Sequence, residues 1–201
     1  MISLKEIIKN ILGIINNYLK KMVKEMSEKA IQERFDEKLE ELKESLPPLG
    51  KDIGTSCAAL TFTHVLDVLG SKYFDSVYFN NLAVPFSGFG TYTSKSGWAG
   101  PCGTVSGGIA AIGVIMGGQE KLKSMETPAV YVKAAKFASR FEAKYGSVSC
   151  KEICGYDLGK PENIKQYVKS RTWEKKCVHF VIYAIDQARK LTKRELKSKW
   201  T

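Results

Sequence analysis

Four of the five cysteines in this chain follow residues that start helices. Cys57 comes after Thr55 and Ser56 and before an apolar run, and Cys102 follows Pro101, a residue suited to a first helical position. Cys150 follows Ser149, which with Glu152 makes a capping-box pattern, and Cys177 lies about one turn beyond Thr172. A sulfur at such an end faces unpaired backbone N–H groups and the positive end of the helix dipole. Both favour thiolate over thiol and make a better nucleophile or metal ligand. The fifth, Cys154, stands four residues after Cys150, so a helix through both puts their sulfurs on one face. The pattern predicts a thiol-based metal or redox site. Its alternative is a set of small buried hydrophobes, a common role for free cysteine.

The four helix-start cysteines are tens of residues apart, which fits no zinc finger, ferredoxin run or thioredoxin C-x-x-C. No C-x-x-C-H occurs, so covalent haem is not expected. An odd number of sparse cysteines also argues against a secreted disulfide scaffold and for reduced thiols in the cytoplasm.

The elements that must position these residues read as helices throughout. Leu4, Ile7, Ile8, Ile11, Leu12, Ile15, Leu19 and Met22 recur at helical spacing, and a second helix is expected over 27–46. Leu46-Pro47-Pro48-Leu49-Gly50 then reads as a linker, dividing a helical arm, 1–46, from a core domain, 47–201. Further helices are predicted over 56–69, 74–84 (ending before Pro85), 101–116, 127–144, 150–154, 163–168 and 173–196. No segment alternates as a strand does. The expected fold is all-α, a bundle of about six to eight helices with an N-terminal arm. Gly103, Gly107, Gly108 and Gly113 inside one helix imply close approach by a neighbouring helix or a cofactor, the helix being the simpler occupant.

Composition narrows the partners. A net charge of +10 raises nucleic acid, but the lysines are dispersed, interleaved with glutamate over 25–44, and clustered only over 189–199. Docking of an acidic redox partner suits that surface better. The arm's apolar stripe is expected to pack on the core or a second copy, giving a homo-oligomer through the arm, with a membrane surface less favoured. No signal-peptide cleavage site follows the first apolar run, and the uncharged stretch 97–119 is too rich in glycine to read as a membrane span.

The order Thr55-Ser56-Cys57-Ala58-Ala59, Phe86-Ser87-Gly88-Phe89-Gly90 and Pro101-Cys102-Gly103-Thr104-Val105-Ser106-Gly107-Gly108 resembles the redox-active family named for its C-GCAxxG-C-C cysteine pattern. Tyr145-Gly146-Ser147-Val148-Ser149-Cys150-Lys151-Glu152, Gly155-Tyr156-Asp157-Leu158 and Cys177 look like its continuation. Gly103 stands where the pattern has alanine, and Cys154 is an addition. The family is similar to part of the split-Soret cytochromes, whose haem motif this chain lacks. The resemblance implies that Cys57, Cys102, Cys150 and Cys177 converge on one iron-sulfur cluster, with zinc or no metal as alternatives. Cys154 would be an extra ligand or a resolving thiol, and His64, Gly103 and Ser149 would flank the site.

Other chemistry is thin. His64 lies about two turns beyond Cys57, while His179 points away from Cys177, and two histidines leave little from which to build a hydrolase. Asp157 and Glu152 read as capping residues. The glycine-rich segment fits neither a Rossmann nor a P-loop template, and Tyr92 and Trp98 within it are placed to act as a lid. Three functions follow: a metal-cluster protein that carries electrons or senses redox state, a metal-free thiol-disulfide oxidoreductase, or a structural oligomerisation module with inert cysteines.

Overall fold

The amphipathic periods of the sequence become helices in the computed structural model, which describes residues 4–45, 56–70 and 76–200. Helix α1 spans Leu4–Ser45 as one unbroken rod of 42 residues, about 63 Å long. The sequence pattern suggests two helices there, but Val23-Lys24-Glu25-Met26 carries no glycine, proline or cap to break them. The 46–50 linker lies outside the described residues. The other helices are α2 (Cys57–Leu69), α3 (Ser76–Phe89), α4 (Gly103–Gly117), α5 (Thr127–Tyr145), α6 (Cys150–Cys154) and α7 (Pro161–Lys169). A π-helical turn, Trp173–Cys177, runs into α8 (Val178–Leu191), and α9 (Lys193–Lys199) follows. The fold is all-α. Among the described residues only two isolated bridges, Thr93 to Ala99 and Pro101 to Ser149, interrupt the helical pattern.

Two boundaries depart from expectation for local reasons. Helix α3 continues past Pro85 to Phe89, so the segment read as a glycine-rich loop is the last turn of a helix. The helix predicted over 173–196 is divided at Thr192, where φ is −113° and the side-chain hydroxyl donates to the Ala188 carbonyl at 2.6 Å. A hydroxyl bonded back to the preceding turn offers the backbone an alternative to the helix.

Helix α4 lies at the centre, packed by α2, α3, α5, α8 and α9. Its glycines explain how. A methyl on Gly107 would stand 2.4 Å from the Ala58 carbonyl oxygen of α2, and one on Gly108 would stand 2.3 Å from the Phe137 ring of α5. The neighbours that demand glycine here are a helix backbone and an aromatic ring. Val65, Ile112, Ile115, Phe137, Phe141, Val181 and Ile185 fill the core, and the C-terminal half of α1 joins it through Ile31, Phe35, Leu39 and Leu42.

Three of the six basic residues of the C-terminal segment 189–199 are paired within the chain. Arg189 binds Asp36 and Asp186, Lys190 binds Asp186, and Lys199 binds Glu126 and the Met116 carbonyl. That leaves less free positive charge for phosphate contacts than the composition suggests. Among the described residues no helix is long and apolar enough to cross a membrane.

Candidate functional site

Cys57 opens α2, and its preceding residue acts as expected: Ser56 is extended, at φ −145° and ψ 161°, and its hydroxyl accepts the Ala59 N–H at 3.2 Å. Cys102 sits differently from the sequence reading. Pro101 is not the first helical residue but bridges to Ser149, and Cys102 itself is the N-cap of α4. The Cys102 N–H donates to the Val148 carbonyl at 2.7 Å and the Cys150 N–H to the Gly100 carbonyl at 3.3 Å, so backbone bonds splice the two cysteine loops together. Cys150 and Cys154 are the first and last residues of α6, and the i, i+4 relation holds. The capping box does not form: the Ser149 hydroxyl is buried without a hydrogen-bond partner and makes no cap bond. Nor is Cys177 at a helix start. It ends the π-helical turn and continues into α8, because Thr172 is already helical and caps nothing. Single π-turns inside helices recur at functional sites.

These placements bring all five sulfurs into one electrostatic neighbourhood. Burial pushes the Cys57 thiol well up, and charge on Cys102, Cys177 and Cys154 pushes it further. Cys177 is pushed up to about 12, chiefly by burial, against the Tyr167 hydroxyl that bonds it at 3.3 Å. Burial and then Cys177 raise the Tyr167 phenol, which therefore stays protonated and available as a donor. Cys150 faces both Cys102 and Cys154 and is raised first by hydrogen-bonding to them. Those two are lowered by the same contact: Cys102 with help from the Thr104 hydroxyl and the Thr104 and Val105 N–H groups, and Cys154 to about 7, with help from the Tyr156 N–H and Lys176. The N–H groups of Thr104 and Val105 favour a Cys102 thiolate without closing a full cap bond, and the Thr104 hydroxyl is buried with no partner of standard geometry.

One S–H cannot serve two thiolates. Cys154 is the better served, since the Tyr156 N–H reaches its sulfur at 3.3 Å and the Lys176 ammonium lies 3.5 Å from its carbonyl. In metal-free protein the ultraviolet thiolate absorbance is therefore expected to rise with a midpoint near pH 7, and Cys150→Ala should move that midpoint toward the ordinary thiol value of 9.0. The sign for stability follows. A depressed thiol pKa stabilises the fold fully above about pH 9, and that contribution is lost as pH falls through about 7. A midpoint unmoved by Cys150→Ala would show that another group holds the thiolate.

The family model described as "Putative redox-active protein (C_GCAxxG_C_C)" matches residues 55–191. The chain belongs to this family. The match covers α2 through α8 and leaves α1 and α9 outside it. No curated protein and no solved structure matches the chain.

Around the family's cysteines, the flanking residues divide. A methyl on Gly103 would stand 2.3 Å from the Ser87 hydroxyl, and that hydroxyl accepts the Ala58 N–H at 3.0 Å. Ser87 thus ties α3 to the cysteine-bearing ends of α2 and α4, a role no motif signalled. His64 turns elsewhere. Its Nδ1 is 3.6 Å from Asp67, and both ring nitrogens are buried without a hydrogen-bond partner. His179 is exposed, and its carbonyl accepts the Tyr145 hydroxyl at 3.2 Å. Tyr92 and Trp98 are half-exposed and pack with Phe89, at centroid distances of 6.4 and 5.7 Å from its ring. Tyr167 and Lys176 were not legible as site residues, since tertiary packing brings each to its cysteine, whereas Thr104 lies two residues beyond Cys102 in the first turn of α4.

The donor set is soft and suits zinc or iron-sulfur chemistry. As free thiols, no three of the described His, Cys, Asp and Glu side chains are arranged to hold a metal ion.

Proposed function

We propose that the protein carries electrons or senses redox state through an iron-sulfur cluster held by Cys57, Cys102, Cys150 and Cys177. The observation that supports this is mutual influence: five sulfurs from four separate parts of the chain, all buried or half-buried, act on one another's ionisation. In the free chain burial, and then charge on neighbouring sulfurs, keeps Cys57 and Cys177 protonated, and hydrogen-bonding to Cys102 and Cys154 does so for Cys150. A cationic cluster lets all four ligands be thiolates at once. When bound it supplies reversible one-electron transfer. Tyr167 and Thr104, with hydroxyls toward Cys177 and Cys102, are the donors that would raise its potential. A single zinc fits less well, because no trio of the described side chains is arranged to hold one metal ion. Cys154 is then a spare sulfur beside Lys176.

The metal-free dithiol reading has its own support, the contact of Cys150 with both Cys102 and Cys154. Accessibility weighs against it. The two thiols of lowered pKa, Cys102 and Cys154, are only 3% and 2% exposed, whereas the half-buried Cys57 and Cys150 are the raised ones. Exchange needs an accessible thiolate. Electron transfer to a buried cluster does not. Reduced thiols at this density suit the cytoplasm, and the net charge of +10 suits a redox partner with an acidic face.

Anaerobic purification followed by iron and sulfide analysis and a visible spectrum tests the proposal. The expected result is a coloured protein with iron and sulfide in about equal amounts. Colourless, metal-free protein that forms a disulfide between Cys150 and either neighbour on mild oxidation would transfer the function to the dithiol reading.

A further inference from the structure

Helix α1 carries two apolar stripes that face different ways. Ile31, Phe35, Leu39 and Leu42 are at most 6% exposed and pack on the core. Ile11, Ile14, Ile15, Tyr18, Leu19 and Met22, on the same continuous helix, are 42–69% exposed. At 3.6 residues per turn the centres of the two stripes lie about 135° apart around the axis. While α1 remains one helix, the first stripe cannot turn onto the face that packs against its own core.

The charge along the helix changes with the stripe. Over residues 4–22 the sequence has four lysines and one glutamate, and over 27–45 it has seven acidic and four basic residues. Excess positive charge is thus confined to the segment whose apolar residues are exposed. At 3.6 residues per turn Lys9 and Lys20 fall on the side of the helix away from the stripe and Lys5 and Lys21 at its flanks, so the positive charge borders and backs the apolar face. An apolar face with a lysine-rich remainder is the pattern of a helix lying in the plane of an anionic bilayer surface. No described helix can cross a membrane, so the mode is peripheral.

We propose that the N-terminal half of α1 is a peripheral membrane anchor that lays Ile11, Ile14, Ile15, Tyr18, Leu19 and Met22 into an anionic lipid surface. The core is thereby held beside the bilayer by a rigid rod. This holds whatever occupies the cysteine centre.

Flotation of the full chain with vesicles tests it, using phosphatidylcholine alone and phosphatidylcholine with about a third phosphatidylglycerol. The chain is expected to float with the anionic vesicles and about tenfold less with the neutral ones. Ile11→Asp/Ile15→Asp removes the stripe and should abolish flotation. Lys20→Glu/Lys21→Glu keeps the stripe and should weaken flotation by about tenfold or more. Equal flotation of the double-aspartate variant and the parent overturns the proposal, as does failure of the parent to float. A parent that stays in solution as a dimer in sedimentation, and becomes a monomer in Ile11→Asp/Ile15→Asp, assigns the stripe to a second copy instead.

Discussion

Cys102→Ser is expected to give a folded, colourless protein. Cys102 is the N-cap of α4, with the N–H groups of Thr104 and Val105 facing its side chain. Serine is among the best N-cap residues, so its oxygen should close the bonds the sulfur only approaches, holding stability level or raising it by up to about 1 kcal/mol. What serine cannot supply is a soft thiolate. Bound iron should fall by about tenfold or more, with the thermal midpoint, compared between the metal-free proteins, unchanged or slightly higher. Cys154→Ser is the matching control. If the four ligands are Cys57, Cys102, Cys150 and Cys177, this variant keeps its iron and colour. Retention of iron in Cys102→Ser would remove that residue from the ligand set, and loss in both variants would mean that all five sulfurs act as one unit.

That contrast rests on a site only partly legible in the sequence. Cysteine placement could be read where the cue is local: Ser56 before Cys57 works as an N-cap, and Cys150 with Cys154 share one short helix. Reading failed where a distant segment competes for the same groups. Pro101 looks like a helix start, but Ser149 bridges to it; the expected capping box is also unformed, the Ser149 N–H being given to the Ser147 hydroxyl at 2.9 Å. Thr172 looks like a cap for the Cys177 helix, but the helix is already under way and widens to a π-turn. The all-α class was carried by helical periodicity and the lack of strand alternation. The division of α1 was not: its two stripes resemble two helices in a linear pattern, and only the absence of a breaker at 23–26 shows that they are one. Tyr167 carries no sequence signal because its partner, Cys177, is reached across the packing of α7 against the π-turn.

The second large effect concerns the scaffold that sets where two of these sulfurs stand. Gly107→Ala is expected to destabilise the fold by about 2–3 kcal/mol, since overpacking a filled contact costs about that much. The added methyl would meet the Ala58 carbonyl oxygen at 2.4 Å, the Ala58 Cα at 3.0 Å and its carbonyl carbon at 3.1 Å. All three are backbone atoms of α2. No side chain can rotate away, so the whole helix must shift, and Ala58 is covalently next to Cys57 while Gly107 lies on the helix capped by Cys102. A thermal melt should therefore fall by roughly 5–10 °C, and the visible spectrum of the loaded protein should shift with it. Gly113→Ala separates this steric effect from helix propensity. Nothing lies within 4 Å of a methyl at Gly113, in the same helix, so alanine there should add about 0.5–1 kcal/mol. Two glycine-to-alanine changes six residues apart on α4 are thus expected to move the melt in opposite directions. Equal and upward shifts would mean that α2 and α4 can separate freely, and that the distance between Cys57 and Cys102 is not fixed by their crossing.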